Sequence, residues 1–167
     1  ACAYCYARPT HQYLDLGAGT DFDRRIVVKP HAPELLREAF SKRSWRGDVI
    51  VFSGNTDCYQ PIEAHYELTR RCLEVCAEYK NPVSIITKSS LIERDLDVLS
   101  ELAATAWLCV TMSIPFDDAD TSRAIDPFAP TPSRRFKTVR RLAAAGINAQ
   151  VIVAPIIPVL NDRDIPT

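Results

Sequence analysis

Two cysteines three apart, Cys2 and Cys5, open the chain in the stretch ACAYCYARPTHQY, with Tyr4 between them and Tyr6, Arg8 and His11 behind. Thiolates are soft ligands for zinc and for iron–sulfur clusters, and CxxC is also the spacing of a redox dithiol. A structural zinc site normally pairs two such units, and no second CxxC follows. Cys72 and Cys76 form a CxxxC, but they lie one helical turn apart on an apolar stripe with Leu68, Val75 and Tyr79. A thiol on such a stripe behaves as a small hydrophobe, and Cys109, inside a strand-like run, reads as core in the same way. His11, His31 and His65 each stand alone, as polar surface histidines do.

A second set of polar residues sits where apolar runs end. DVIVFS (48–53) leads into SGNTD (53–57), with Gly54, Asn55, Thr56 and Asp57; VSIIT (83–87) leads into Thr87, Lys88 and Ser89; WLCVTMS (107–113) ends on Ser113; AQVIVA (149–154) ends in APIIP. Glycine lets a ligand approach the backbone, Asn, Thr and Asp can hold an ammonium or a hydroxyl, and Lys88 can meet a carboxylate or phosphate. Each turn can also be read as a helix cap, the ordinary use of Ser, Asn and Asp.

These turns need a scaffold. IVVK (26–29) reads as a short further strand. Helical spacing marks 33–43, with Leu35, Leu36, Ala39 and Phe40; the segment after Pro61; 90–104, with Ile92, Leu96, Leu99 and Leu102; and 133–146, with Phe136, Val139, Leu142 and Ala143 buried and Gly146 as the cap. Residues 114–132 read as a loop rich in Asp and Pro. Strand–helix alternation predicts an α/β fold with a parallel sheet, whose ligands gather at the C-terminal strand ends. With five glycines and no GxGxxG after any strand, a dinucleotide-binding fold is disfavoured, which leaves a barrel or part of one.

The totals agree with one globular unit. In 167 residues, 47% are apolar and 25% charged, and the formal net charge of -1 gives no general pull toward nucleic acid or an anionic membrane. No apolar run approaches the roughly 20 residues of a membrane helix, and the start shows no secretory pattern. Six cysteines suit a reducing cytoplasm, with thiols free or on metal. The basic residues Arg134, Arg135, Lys137, Arg140 and Arg141 flank the expected buried face and read mainly as a solvated surface.

Taken in order, CxYCYAR, SGNTDxYQP, ITKSSLIERDLDVL, RxxDPxAPxPxxR, LAAAGI and APIIPxLND resemble the radical S-adenosylmethionine (radical SAM) superfamily, in the branch related to spore photoproduct lyase, often labelled DNA repair photolyase. The resemblance covers nearly the whole chain. It implies a partial, open radical SAM-type TIM barrel over 1–167, with a cluster-binding loop over 1–25 and βα units over 26–167. Cys2 and Cys5 would be the second and third cysteines of CxxxCxxC and would ligate a 4Fe-4S cluster, the first being expected three residues before Ala1; the chain then reads as a fragment that holds a cluster poorly. The open iron would chelate S-adenosylmethionine, with an electron supplied by a flavodoxin- or ferredoxin-like donor.

The same resemblance places Tyr4 near the adenine, and Gly54, Asn55, Thr56 and Asp57 at the methionyl amine, where the family writes GGE. It places Thr87, Lys88, Ser113 and Arg123 at the ribose and carboxylate, and Val153, Pro155 and Ile157 along the adenine. Relatives often carry proline where Cys58 stands, so Cys58 is a weak candidate for a radical-relay thiol, with a neutral rim substitution as the plainer account. Nucleic acid as substrate would follow from the lyase branch. Two other classes stay open: a structural zinc or interaction module, and a non-radical barrel enzyme binding a phosphorylated substrate through Lys88.

Overall fold

The computed structural model describes residues 3–162. Four parallel strands lie side by side in chain order: β1 (Ile50–Phe52), β2 (Val83–Thr87), β3 (Leu108–Ser113) and β4 (Ala149–Ile152). Register runs Phe52–Ile85–Val110–Ala149 across the sheet. Successive neighbours with helical connections are the start of a barrel wall, and the sheet is open: β1 and β4 are its edges.

The helices are α1 (Thr20–Arg24), α2 (Ala32–Ser41), α3 (Glu63–Tyr66), α4 (Leu68–Glu78), α5 (Leu96–Thr105), α6 (Ala119–Ile125) and α7 (Pro132–Ala144), with 3-10 segments at Arg8–Leu14 and Ser90–Asp95. Their boundaries follow local chemistry. Ser89 Oγ accepts from Leu91 N, Asp118 caps α6 by accepting from Thr121 N, and Thr131 caps α7 with Pro132 behind it. α7 ends where expected: Gly146 is left-handed, and Ile147 N–H closes on Leu142 O at 3.1 Å.

One face of the sheet makes the core. Val83 and Ile85 of β2 and Leu108, Val110 and Met112 of β3 pack with Leu73, Cys76, Leu99, Leu102 and Leu142 from the helices. Each such side chain, fully buried, is worth about 1.5–3 kcal/mol of transfer free energy. On the other face Val51 and Ile86 are exposed, and β4 is buried at no position. No helix among the described residues is long and apolar enough to cross a membrane.

Four expectations need correction. IVVK forms no strand; Ile26 and Val27 are exposed, because β-branched residues make a strand only with a ladder to join, and none reaches them. The 114–132 loop contains α6, nucleated by the Asp118 cap. The segment read as one helix over 90–104 starts as a 3-10 turn and becomes α-helical only at Leu96. On α7 the buried stripe is Arg135, Thr138 and Leu142, while Phe136 and Ala143 are exposed. The helix is turned by one residue so that Arg135 reaches the Ser113 carbonyl at the end of β3 and the Pro130 carbonyl ahead of α7. The basic run therefore contains a buried guanidinium, against the surface reading.

Candidate functional site

Beyond the C-terminal end of β1 the chain makes a strained turn. Ser53 has φ 76, a left-handed conformation that costs a non-glycine residue about 1–3 kcal/mol and tends to be kept at ligand-holding sites. Two bonds hold it: Ser53 Oγ accepts from Cys58 N at 2.8 Å, and Tyr6 OH donates to Gly54 O at 3.0 Å. A Cβ added at Gly54 would meet nothing within 4 Å, so the protein itself does not demand glycine there.

Asp57 joins this turn to the next one. Its Oδ1 accepts from Thr87 Oγ1 at 2.7 Å and from Tyr59 N at 2.9 Å, and its Oδ2 accepts from Lys88 N at 2.8 Å. Thr87 Oγ1 in turn accepts from Ser89 N. A carboxylate with three internal donors is a clamp between β1 and β2 and has little capacity left for an ammonium ligand.

Lys88 carries the contact with the opening loop. Its Nζ donates to Tyr4 OH at 2.5 Å and to Asp126 Oδ2 at 2.7 Å, and it lies 4.4 Å from the centre of the Tyr4 ring. Burial alone would lower this ammonium, but the Asp126 carboxylate and the Tyr4 hydroxyl outweigh it and raise its pKa. Asp126 follows α6, and Ile125 O accepts from Ala3 N at 3.1 Å, so the loop is tied to that helix end twice.

Behind Asp126 lies Arg135, 1% exposed. Its Nε donates to Pro130 O at 2.8 Å and its Nη1 to Ser113 O at 2.9 Å. Its Nη2 stands 3.8 Å from Asp126 Oδ2 and has no hydrogen-bond partner among the described residues. Burial lowers the Arg135 pKa from its ordinary value, against the pull of Asp126. Asn161, fully buried, fixes the segment after β4: its Nδ2 donates to Pro115 O at 2.6 Å and Pro155 O at 2.9 Å, and its Oδ1 accepts from Ile157 N.

The sequence-derived candidates thus fall into groups. Tyr4, Gly54, Asp57, Thr87 and Lys88 come together through direct bonds. Ser113 joins them through Arg135, and Pro155 and Ile157 line the Asn161-held segment. Asn55 is exposed and Thr56 half-buried in the β1 turn; Val153 is exposed; Arg123 is exposed on α6. Cys5 is a free, half-buried thiol, and Cys2 lies outside the described residues. Burial, then the Asp57 charge, pushes the Cys58 thiol far up, so it stays protonated beside Ser53. Sequence reasoning assigned no site role to Asp126 or Asn161 and placed Arg135 on a solvated surface. All three stand inside quoted motifs, Asp126 and Arg135 in RxxDPxAPxPxxR and Asn161 in APIIPxLND, and that was their signal.

The sequence profile of the Radical SAM superfamily matches residues 1–167. The chain belongs to the Radical SAM superfamily. It is 39% identical over 162 residues to an uncharacterized protein of Mycobacterium tuberculosis, covering 97% of this chain and 48% of that protein. It is 31% identical over 162 residues to an uncharacterized protein of Methanocaldococcus jannaschii (97% of this chain, 58% of that protein), and 31% over 166 residues to one of Acidianus two-tailed virus (95% and 52%). The chain spans about half the length of the curated relatives it matches. No solved structure matches it.

Radical SAM proteins are enzymes that use a 4Fe-4S cluster, S-adenosylmethionine and an electron donor. The donor chemistry of this chain fits those cofactors. Cys5 offers a free thiol at the loop, and Lys88 offers a cation at the rim that Tyr4 brings beside it. Among the described residues no group of three His, Cys, Asp or Glu could hold a metal ion, so a cluster bound at Cys5 would need thiolates from outside them.

Proposed function

We propose that this chain is the cluster- and S-adenosylmethionine-binding core of a radical SAM enzyme of the spore photoproduct lyase-related branch. The observation that carries the reading is the bond from Lys88 Nζ to Tyr4 OH, which joins the CxxC loop to the strand-end rim. Cys2 and Cys5 would hold two irons of the cluster. The backbone of Ser53 to Thr56 would take the methionyl amine, since Asp57 is spent on Thr87, Tyr59 and Lys88. Lys88 would take the carboxylate, with Thr87 and Ser113 beside it. Tyr4, Val153, Pro155 and Ile157 would border the adenosine, and Arg123 would lie at the outer edge.

The chemistry supplied by the two cofactors together is reductive cleavage of the sulfonium carbon–sulfur bond, giving a 5′-deoxyadenosyl radical. The residues of this chain orient the methionyl group and keep the strand ends tied together. Cys58 has the S–H bond a hydrogen donor requires, but it packs against the core, which favours its role as a rim hydrophobe. A flavodoxin- or ferredoxin-like donor and a cytoplasmic setting belong to the same reading. All five described cysteines are unpaired, as a reducing compartment requires.

A nucleic-acid substrate belongs to the lyase branch, and α7 gives it little support: Arg134 and Arg141 both pair with Glu93, and Arg135 is buried. In the full-length protein, anaerobic reconstitution with iron and sulfide should give a visible iron–sulfur spectrum, and dithionite with S-adenosylmethionine should release 5′-deoxyadenosine, whereas residues 1–167 alone should bind the cluster poorly. Cys5→Ala should abolish both. Zinc without iron in anaerobically purified protein would overturn the reading in favour of the structural module.

A further inference from the structure

The Asp126 carboxylate sits between two cations and fully serves one of them. Its Oδ2 is 2.7 Å from Lys88 Nζ but 3.8 Å from Arg135 Nη2. That nitrogen is buried and has no hydrogen-bond partner among the described residues. A buried guanidinium N–H left unpaired is costly, so its persistence asks for a reason. The other carboxylate close by, Asp57, is turned to Thr87 Oγ1 and to the backbone of Tyr59 and Lys88. A shift of about 1 Å in Asp126 would bring Oδ2 within hydrogen-bond range of Nη2 and loosen its hold on Lys88.

We infer that Asp126 is a competing carboxylate, which yields Lys88 to the carboxylate of a bound ligand by moving onto Arg135 Nη2. This rests on the reading of Lys88 given above. The exchange keeps every ion paired: Lys88 trades one carboxylate for another, and Arg135 gains the bond it lacks. Lys88 is suited to the trade, because an ammonium is a point charge that accepts a new partner from several directions. Arg135 is fixed by Ser113 O and Pro130 O and waits in place. Asp126 is then a positioning residue that sets how strongly the rim selects a ligand bearing a carboxylate.

The test compares two probes that differ by one group, S-adenosylmethionine and decarboxylated S-adenosylmethionine, by equilibrium dialysis with the cluster-loaded full-length protein. The readout is the ratio of their affinities, which a merely structural defect would not move. Asp126→Asn removes the competitor and should raise the ratio on the order of tenfold, while Asp126→Glu should bring it back toward wild type. Arg135→Lys keeps a charge but lacks the second nitrogen, and should lower the ratio several-fold. Lys88→Met should lower it further than any other variant, leaving only the preference that the cluster iron itself gives.

If the wild type binds neither probe, the reading of the rim fails, and this inference with it. If the wild type prefers S-adenosylmethionine and Asp126→Asn leaves the ratio unchanged or lowers it, the inference alone is overturned. A ratio unchanged in Arg135→Lys would overturn the handover to Nη2.

Discussion

Two clusters of buried ions lie in this fold, and they are built differently. Around α3 and the Ser90–Asp95 turn, Arg94 donates through Nε to Asp95 Oδ1, through Nη1 to Glu63 O, and through Nη2 to Glu63 Oε1 and Asp95 Oδ2. Arg70 adds bonds to Asp95 and Asp97, and Glu63 Oε1 also accepts from Thr69 N. All the guanidinium nitrogens of Arg94 are used. Among the described residues, the buried atom near this cluster without a hydrogen bond is a neutral hydroxyl, Tyr59 OH, whose pKa burial and the Asp95 charge push up. At the strand ends, Lys88, Asp126 and Arg135 leave a charged nitrogen unpartnered. A saturated network is a staple. An unsaturated one has capacity to exchange partners, as a binding site must.

The largest effect should come from breaking the staple. Asp95 is fully buried and serves two guanidinium groups. Asp95→Asn removes the buried charge that holds two half-buried guanidinium groups and should cost about 3 kcal/mol, the lower end of the range for breaking a buried pair from one side. Thermal unfolding should show a fall on the order of 10 °C, with the probe ratio at Lys88 unchanged in the folded protein. A changed ratio would mean that the two clusters are one network.

Arg135→Met should cost less, about 2 kcal/mol. It strands the carbonyls of Ser113 and Pro130 but removes a nitrogen that had no partner. Urea unfolding measures this directly. A loss as large as that of Asp95→Asn would erase the distinction between staple and site.

How much of this could be read beforehand follows the same division. The core strands were legible because Val83, Ile85, Val110 and Met112 form β-branched and apolar runs, and a hydrophobic run has few alternative uses. The turns at Ser53–Asp57 and Thr87–Lys88 were legible as polar residues at strand ends. IVVK carried the same local signal as a strand and formed none, since pairing is a non-local fact. Arg135 was hidden for the opposite reason. An arginine between other basic residues reads as surface, and only the placement of α7 against the end of β3 reveals that Ser113 O, beside the local Pro130 O, is there for it to serve. Asp57 was legible as a site residue, but its three internal donors, and so its work as a clamp, were not.

Gly54 gives a test at the rim with no cost elsewhere. A Cβ there meets no protein atom within 4 Å and its φ is not left-handed, so Gly54→Ala should change stability by no more than about 0.5 kcal/mol. If the methionyl group approaches this backbone, the same methyl should weaken S-adenosylmethionine binding about tenfold, by steric exclusion alone. Equal affinity in the variant would move the amine contact away from this turn.

The smallest effect lies at the exposed margin of the staple. Asp97 accepts from Arg70 Nη1 at 2.9 Å and from Nη2 at 2.6 Å, but its side chain is 64% exposed. The Arg70 guanidinium holds its carboxyl at about 2, below the ordinary 3.8. A carboxyl lowered by folding contributes stability that is present above its unfolded value and is lost as pH falls from about 4 through about 2. Solvent screening keeps that contribution under about 1 kcal/mol. Asp97→Asn should therefore lower the melting temperature by only a few degrees at pH 7, and the difference from wild type should shrink toward zero at pH 2. A difference that persists at pH 2 would mean that Asp97 acts through its packing or its bond to the start of α5. The contrast would then rest on Asp95 alone, where the charge is buried and its partners are fixed.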